Sequence, residues 1–215
     1  MGLFDNLKNQ VNGALGSDFV SKAGSAISGA ADKAGNAIAG AVGSVVGKGT
    51  NRTETITLAA LPKNLSELQA LPEASLDTPF KTAALTLAAL CAYEQDPDAV
   101  YEMLDFLKGP ESVSNMEKQF IQERLAGKYY KPFSFFDGAT VDNSYKPTTP
   151  YTVKVSENPY SFDNENWAVL YVQSAGADSP RPIKFRKKPS TGQWFLNEIQ
   201  CLSDIRIPTA EDPWA

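Results

Sequence analysis

DTPFKTAALTLAALCAYEQ, Asp77 to Gln95, decides what kind of fold this chain builds. Thr78 supplies an oxygen where a helix needs one to receive its first free N–H groups, and Pro79 follows at the first helical position, where a missing N–H costs nothing. From Ala83 to Ala92 the residues are apolar on nearly every side of the helical wheel. A helix without a polar face has no side to give to water, so this one is expected at the centre of a domain.

Two further helices follow with equally definite ends. DPDAVYEMLDFLKGP (Asp96–Pro110) repeats the arrangement, with Asp96 as cap, Pro97 at the start and Gly109-Pro110 as the stop. In SNMEKQFIQERLAG (Ser114–Gly127), Ser114 and Glu117 have capping-box spacing and Gly127 closes the helix. Ahead of these, TETITLAALP (Thr53–Pro62) reads either as a short strand or as an extended arm. KNLSELQALPEAS (Lys63–Ser75) reads as one short helical turn stopped by Pro72.

After Tyr129 the texture changes to prolines, aromatics and alternating segments. YTVKV, WAVLYVQS, PIKFRK, QWFLNEI and DIRI read as five short strands, with SAGADSP and KPSTGQ as glycine-bearing turns between them. Strands joined in succession by short turns make an antiparallel meander. The expected fold class is therefore α+β: three consecutive helices, then the meander.

The first fifty residues are different. They hold ten of the fifteen glycines and no proline, and four Lys against three Asp leave them at +1 and the remainder at −6. The shift places a boundary near GKGTNRT (Gly47–Thr53), dividing a Gly/Ala-rich arm, 1–50, from an α+β domain, 51–215. Within the arm, AGSAISGA (Ala23–Ala30) returns after eleven residues as AGNAIAGA (Ala34–Ala41). On a helix this recurrence gathers Val20, Ile27, Ile38, Val42 and Val45 on one side. Leu3, Phe4 and Leu7 belong to an earlier stripe of different phase, so two helices joined by a glycine hinge are expected. Five glycines between Gly24 and Gly43, each costing about 1 kcal/mol against alanine in a helix interior, make a segment expected to fluctuate alone and to be helical only against lipid or protein, with a plain flexible tail as the alternative reading.

Blocks throughout the second part, among them PEASLDTPFKTAALTLAALCAY, MLDFLKGPESVSNMEKQFIQERLAGKYYKPFSFFDGAT, NPYSF, SAGADSPRPIKFRKKPSTGQWFL and LSDIRIPTAEDPWA, resemble an uncharacterised bacterial domain family. The similarity runs from about Thr53 to Ala215. It implies a known domain unit with no assigned activity, so it assigns no catalytic residues, and the arm lies outside it.

The sequence points away from catalysis. There is no histidine, which removes the usual acid–base group and the commonest metal ligand. Cys91 and Cys201 lie in apolar runs, without metal-ligand spacing, and are expected as buried free thiols of a reducing cytoplasm. Asp137, Asp142 and Asn143 loosely suggest a calcium loop but lack its alternating oxygens and closing glutamate, so turn chemistry is expected there. No phosphate loop or serine elbow is present, and no cofactor is expected. The aromatics from Tyr129 to Tyr171 are expected mainly as packing.

The basic run RPIKFRKK is the strongest charge feature. On a strand, Lys184, Arg186 and Lys188 share one face and Ile183 and Phe185 the other. A solvated sheet face is the plain reading; contact with an anionic surface or an acidic partner is the functional one. The net charge of −5 argues against nucleic acid as a partner. No stretch of the arm is long enough and uncharged enough to span a bilayer. The expectation is a cytoplasmic interaction or self-assembly protein whose partner is another protein or itself. Association would rest on Leu3, Phe4, Leu7, Val20, Ile27, Ile38, Val42 and Val45. The rivals are a peripheral membrane protein anchored by the arm, and an enzyme with a histidine-free site. Trp214 either plugs the domain's own surface or anchors a partner.

Overall fold

The computed structural model describes residues 50–215. The eight arm positions from Leu3 to Val45 on which association was expected to rest lie outside these residues. The chain begins its described course with strand β1 (Thr53–Leu58). Helices α1 (Leu65–Gln69), α2 (Pro79–Leu90), α3 (Pro97–Lys108) and α4 (Asn115–Leu125) follow. Then come strands β2 (Tyr151–Ser156), β3 (Trp167–Val172), β4 (Arg181–Lys187) and β5 (Trp194–Ile199). The strands form one sheet in the order β1-β2-β3-β4-β5, every neighbouring pair antiparallel. The fold is α+β, as the sequence implies.

Alternation along the strands determines which face carries the core. Ile56, Leu58, Val153, Val155, Leu170, Ile183 and Phe185 are buried, and the residues between them are exposed or half-buried. Helix α2 lies across that buried face, in contact with β1, β2, β3 and β5. Every residue of α2 except Lys81 is buried, as its all-round apolar sequence requires. Its two interior threonines satisfy their hydroxyls at once: Thr82 Oγ1 donates to the Trp194 carbonyl at 2.7 Å and Thr86 Oγ1 to the Thr82 carbonyl at 2.8 Å. The Trp194 N–H in turn donates to the Leu76 carbonyl, so the start of β5 is sewn to the helical layer.

The helix boundaries follow the capping chemistry. The side chains of Thr78, Asp96 and Ser114 each accept from the N–H three residues on, and Ser114 with Glu117 completes a capping box. Gly109, at φ +68°, turns the chain out of α3 in a conformation that L side chains rarely adopt.

Three expectations are corrected or resolved. DIRI, Asp204–Ile207, is not a strand: Asp204 sits at φ +52°, which breaks an extended run, and Pro208 ends it. The segment instead closes over the sheet's end, with Ile205 buried and the Arg206 N–H donating to the Gly176 carbonyl. TETITL is a strand, not an arm, and supplies the fifth member of the sheet in place of DIRI. KNLSELQALPEAS forms two turns: α1, capped by Asn64, and a 3-10 turn that Pro72 begins.

Among the described residues no helix is long and apolar enough to cross a membrane. Cys91 and Cys201 are free and buried. Burial pushes the Cys201 thiol up to about 12 and the Cys91 thiol well above its ordinary value.

Candidate functional site

The turn from α3 to α4 is where the helical layer departs from simple packing. Gly109 and Pro110 stop α3, and the Asp105 carboxylate reaches over the turn to accept the Val113 N–H at 2.6 Å. That contact fixes where Ser114 begins α4, and therefore where Glu117 stands. One oxygen of Glu117 accepts from both the N–H and the hydroxyl of Ser114, each at 2.8 Å. The other accepts the Lys108 ammonium at 2.7 Å. A single carboxylate thus serves as helix cap and as counter-ion. Burial alone would raise its pKa; the hydrogen bonds from Lys108 and Ser114 outweigh that and hold it below the ordinary value.

The Lys108 side chain is 6% exposed. Its ammonium also donates to the Asn197 carbonyl at 3.2 Å. That carbonyl is free because β5 carries one extra residue there: Lys184 faces Glu198 and Phe185 faces Leu196, leaving Asn197 as a bulge. The ammonium therefore ties α3, α4 and β5 together at one point.

Above this point lies an open groove of about 480 Å³ between α4 and the outer strand β5. Leu104, Val113, Ile121, Leu196 and Ile199 give it an apolar lining. Met116, 81% exposed, and half-buried Phe120 stand on its lip. On α4, Ile121 and Leu125 face the core and are buried. Met116 and Phe120, themselves four residues apart, form a second apolar stripe that the domain covers only in part: Met116 is open, while Phe120 packs partly on the core with Arg124 over its ring at 5.2 Å.

A second hollow, of about 280 Å³, adjoins the first and shares Lys108, Leu196 and Asn197 with it. Arg186, Lys187 and Lys188 line it, with Glu111 as its single acidic residue. The basic run expected to present one face is thus divided. Lys184 is 2.8 Å from Glu198, its cross-strand neighbour, and that hydrogen bond lowers the Glu198 pKa. Arg186 lies over the Trp167 ring at 5.2 Å and 3.7 Å from Glu111. Lys188 falls one residue past the end of β4, in the turn, and is exposed. Arg186 and Lys188 converge on the hollow; Lys184 does not line it.

The remaining candidates have local roles. Asn143 caps a turn, its carbonyl accepting from the Thr140 and Lys146 N–H groups, while Asp137 pairs with Lys154 and Asp142 accepts from the Thr209 hydroxyl. Among the described residues no three His, Cys, Asp or Glu side chains gather in a group able to hold a metal. Buried Lys131 donates to the Leu202 carbonyl at 3.0 Å, and burial, reinforced by Lys128 and Arg124, lowers its pKa. Ser174 donates to Ser134, which donates to the Lys131 carbonyl, so both hydroxyls are engaged away from the ammonium. Trp214 is 93% exposed and does not plug the domain's own surface. Many of the aromatics pack, as in the Tyr130–Tyr145 stack at 5.4 Å, whereas Tyr160 is exposed.

Sequence reasoning did not find the groove or the Lys108–Glu117 pair. A signal was present: Met116 and Phe120 lie off the Ile121–Leu125 stripe, which is one apolar face more than a packed helix needs.

The described residues define a two-layer α+β domain, helices over one face of a five-stranded antiparallel meander. The chain belongs to the DUF6935 family, a domain of unknown function, whose match covers residues 60–209. No curated protein and no solved structure matches it.

Proposed function

We propose that this chain acts by associating with protein, itself or a partner, and that its chemistry is recognition. The observation that carries the reading is the groove between α4 and β5, where Met116 and Phe120 hold apolar surface open to solvent beside an apolar lining. Exposed apolar surface next to a concavity is characteristic of interaction sites. The Gly/Ala-rich arm, with Leu3, Phe4, Leu7, Val20, Ile27, Ile38, Val42 and Val45 on its apolar sides, adds a second associating element in this reading.

Sedimentation velocity of the full chain over a wide concentration range tests it, alongside flotation with anionic vesicles. Association that grows with concentration, with no flotation, is the expected result. A monomer at every concentration that floats with vesicles would overturn it and favour attachment of the arm to a membrane surface.

A further inference from the structure

The groove has a basic end, and the same chain exposes a segment with the opposite character. Arg186, Lys187 and Lys188 line the adjoining hollow against one acidic residue, Glu111, on a domain whose overall balance is acidic. Further along the same part of the chain lies TAEDPWA, Thr209–Ala215, in which Glu211 and Asp212 precede Trp214. The root of this segment is fixed: the Thr209 N–H donates to the Val141 carbonyl and its hydroxyl to Asp142. Its tip is shaped by its own contacts, with the Trp214 N–H donating to the Asp212 carboxylate at 2.9 Å and the Ala215 N–H to the Asp212 carbonyl. The backbone at Trp214 is thus held in a formed turn, and the indole stands out in solvent, 93% exposed.

We propose that the groove receives the Thr209–Ala215 segment of a second copy of this chain. Trp214 enters the apolar groove between Met116, Phe120 and Leu196, and Glu211 and Asp212 face Arg186, Lys187 and Lys188 in the adjoining hollow. The two hollows share Lys108, Leu196 and Asn197 as a common wall, which places both within reach of a segment this short. Charge complementarity selects this occupant: Glu111 answers only Arg186, at 3.7 Å, so an apolar peptide without acidic residues leaves Lys187 and Lys188 with no acidic partner in the hollow, and a basic one is repelled by them. A large indole filling a pocket is the usual energetic anchor of a small interface. Donor and acceptor are different surfaces of one molecule, so the contact is head-to-tail.

This inference rests on the association reading above and is tested separately from it. A fluorescently labelled peptide of residues 207–215 is titrated by anisotropy with the full chain carrying Trp214→Ala, so that no native segment competes. Saturable binding is expected, weaker at high salt and about thirtyfold weaker for a peptide with Trp214→Ala. Met116→Glu in the chain should weaken it similarly; Met116 is exposed, and circular dichroism verifies that the variant stays folded. Absence of peptide binding, or equal binding to the Met116→Glu chain, overturns the assignment. So does a basic hollow that takes anionic vesicles and ignores the peptide. Sedimentation separates the two readings: if Trp214→Ala leaves association of the full chain undiminished, this contact is wrong and the association reading stands. If the unaltered chain neither associates nor binds the peptide, both fall.

Discussion

The Lys108 ammonium and the Glu117 carboxylate meet at 2.7 Å across the turn between α3 and α4, and both act on the floor of the open groove. Lys108 is enclosed and Glu117 is more than a third exposed, so the two ends of the pair are not equivalent. Losing the carboxylate strands a buried charge; losing the lysine returns a carboxylate to water and to its capping role.

Glu117→Gln should therefore cost about 2 kcal/mol of stability, more than Lys108→Met. The double variant should recover part of the loss, because no buried cation remains. Urea unfolding of the four proteins measures the cycle, and equal costs for the two single variants would contradict the asymmetry.

Acid should weaken the domain through the same pair. The folded pKa values of Glu117 and Glu198 are both depressed, so their contribution is fully present above the ordinary glutamate pKa. It is lost as pH falls from there through the depressed folded values, because the unfolded state then binds more protons. Unfolding free energy should drop below roughly pH 4.5. Glu117→Gln should flatten that slope, as read from denaturant melts at stepped pH.

Gly109 and Gly127 make a controlled comparison. Both have positive φ, +68° and +67°, but an added methyl at Gly109 would run into the Phe195 ring while Gly127 faces open space. Gly127→Ala should cost about 1 kcal/mol, the backbone term alone. Gly109→Ala should cost about 2 kcal/mol or more, since the ring or the turn must also shift. Thermal melts separate the two, and equal costs would mean that the ring moves aside freely.

The two thiols should be silent in the native state. Cys201 is fully enclosed, with its thiol pushed up to about 12, and Cys91 donates to the Leu87 carbonyl. A chromogenic disulfide at pH 8 should react with neither until denaturant is added, after which both should react promptly. Fast labelling of either thiol without denaturant would show local opening.

Local chemistry was legible in the sequence, and long-range pairing was not. Thr78, Asp96 and Ser114 announce their helices because a cap bonds three residues along, within reach of a short reading frame. DIRI alternates like a strand, yet the left-handed Asp204 breaks it, and side-chain alternation says nothing about backbone hand. TETITL looked ambiguous because its partner, β2, lies more than ninety positions away. The groove was hidden for the same reason: Lys108 and Asn197 belong to distant segments, and the bulge that frees the Asn197 carbonyl exists only once β4 and β5 are paired. The division of the basic run had the same cause, since Glu198 and Glu111 take up charge only after folding.

The placement of β1 has a kinetic meaning. β2 to β5 are chain neighbours, whereas β1 pairs with β2 only after four helices have intervened. Such a pairing carries the full entropy of closing a long loop before it returns any contact, so it forms late. The β3–β4–β5 hairpins and the capped helices assemble first, and the β1 seam closes upon them. During synthesis β1 leaves the ribosome ahead of its partner and waits for the chain that follows, with the outer edge of β2 bare once it emerges and until the seam closes. Pulsed hydrogen exchange during refolding should find the Ile56 amide protected after that of Phe185.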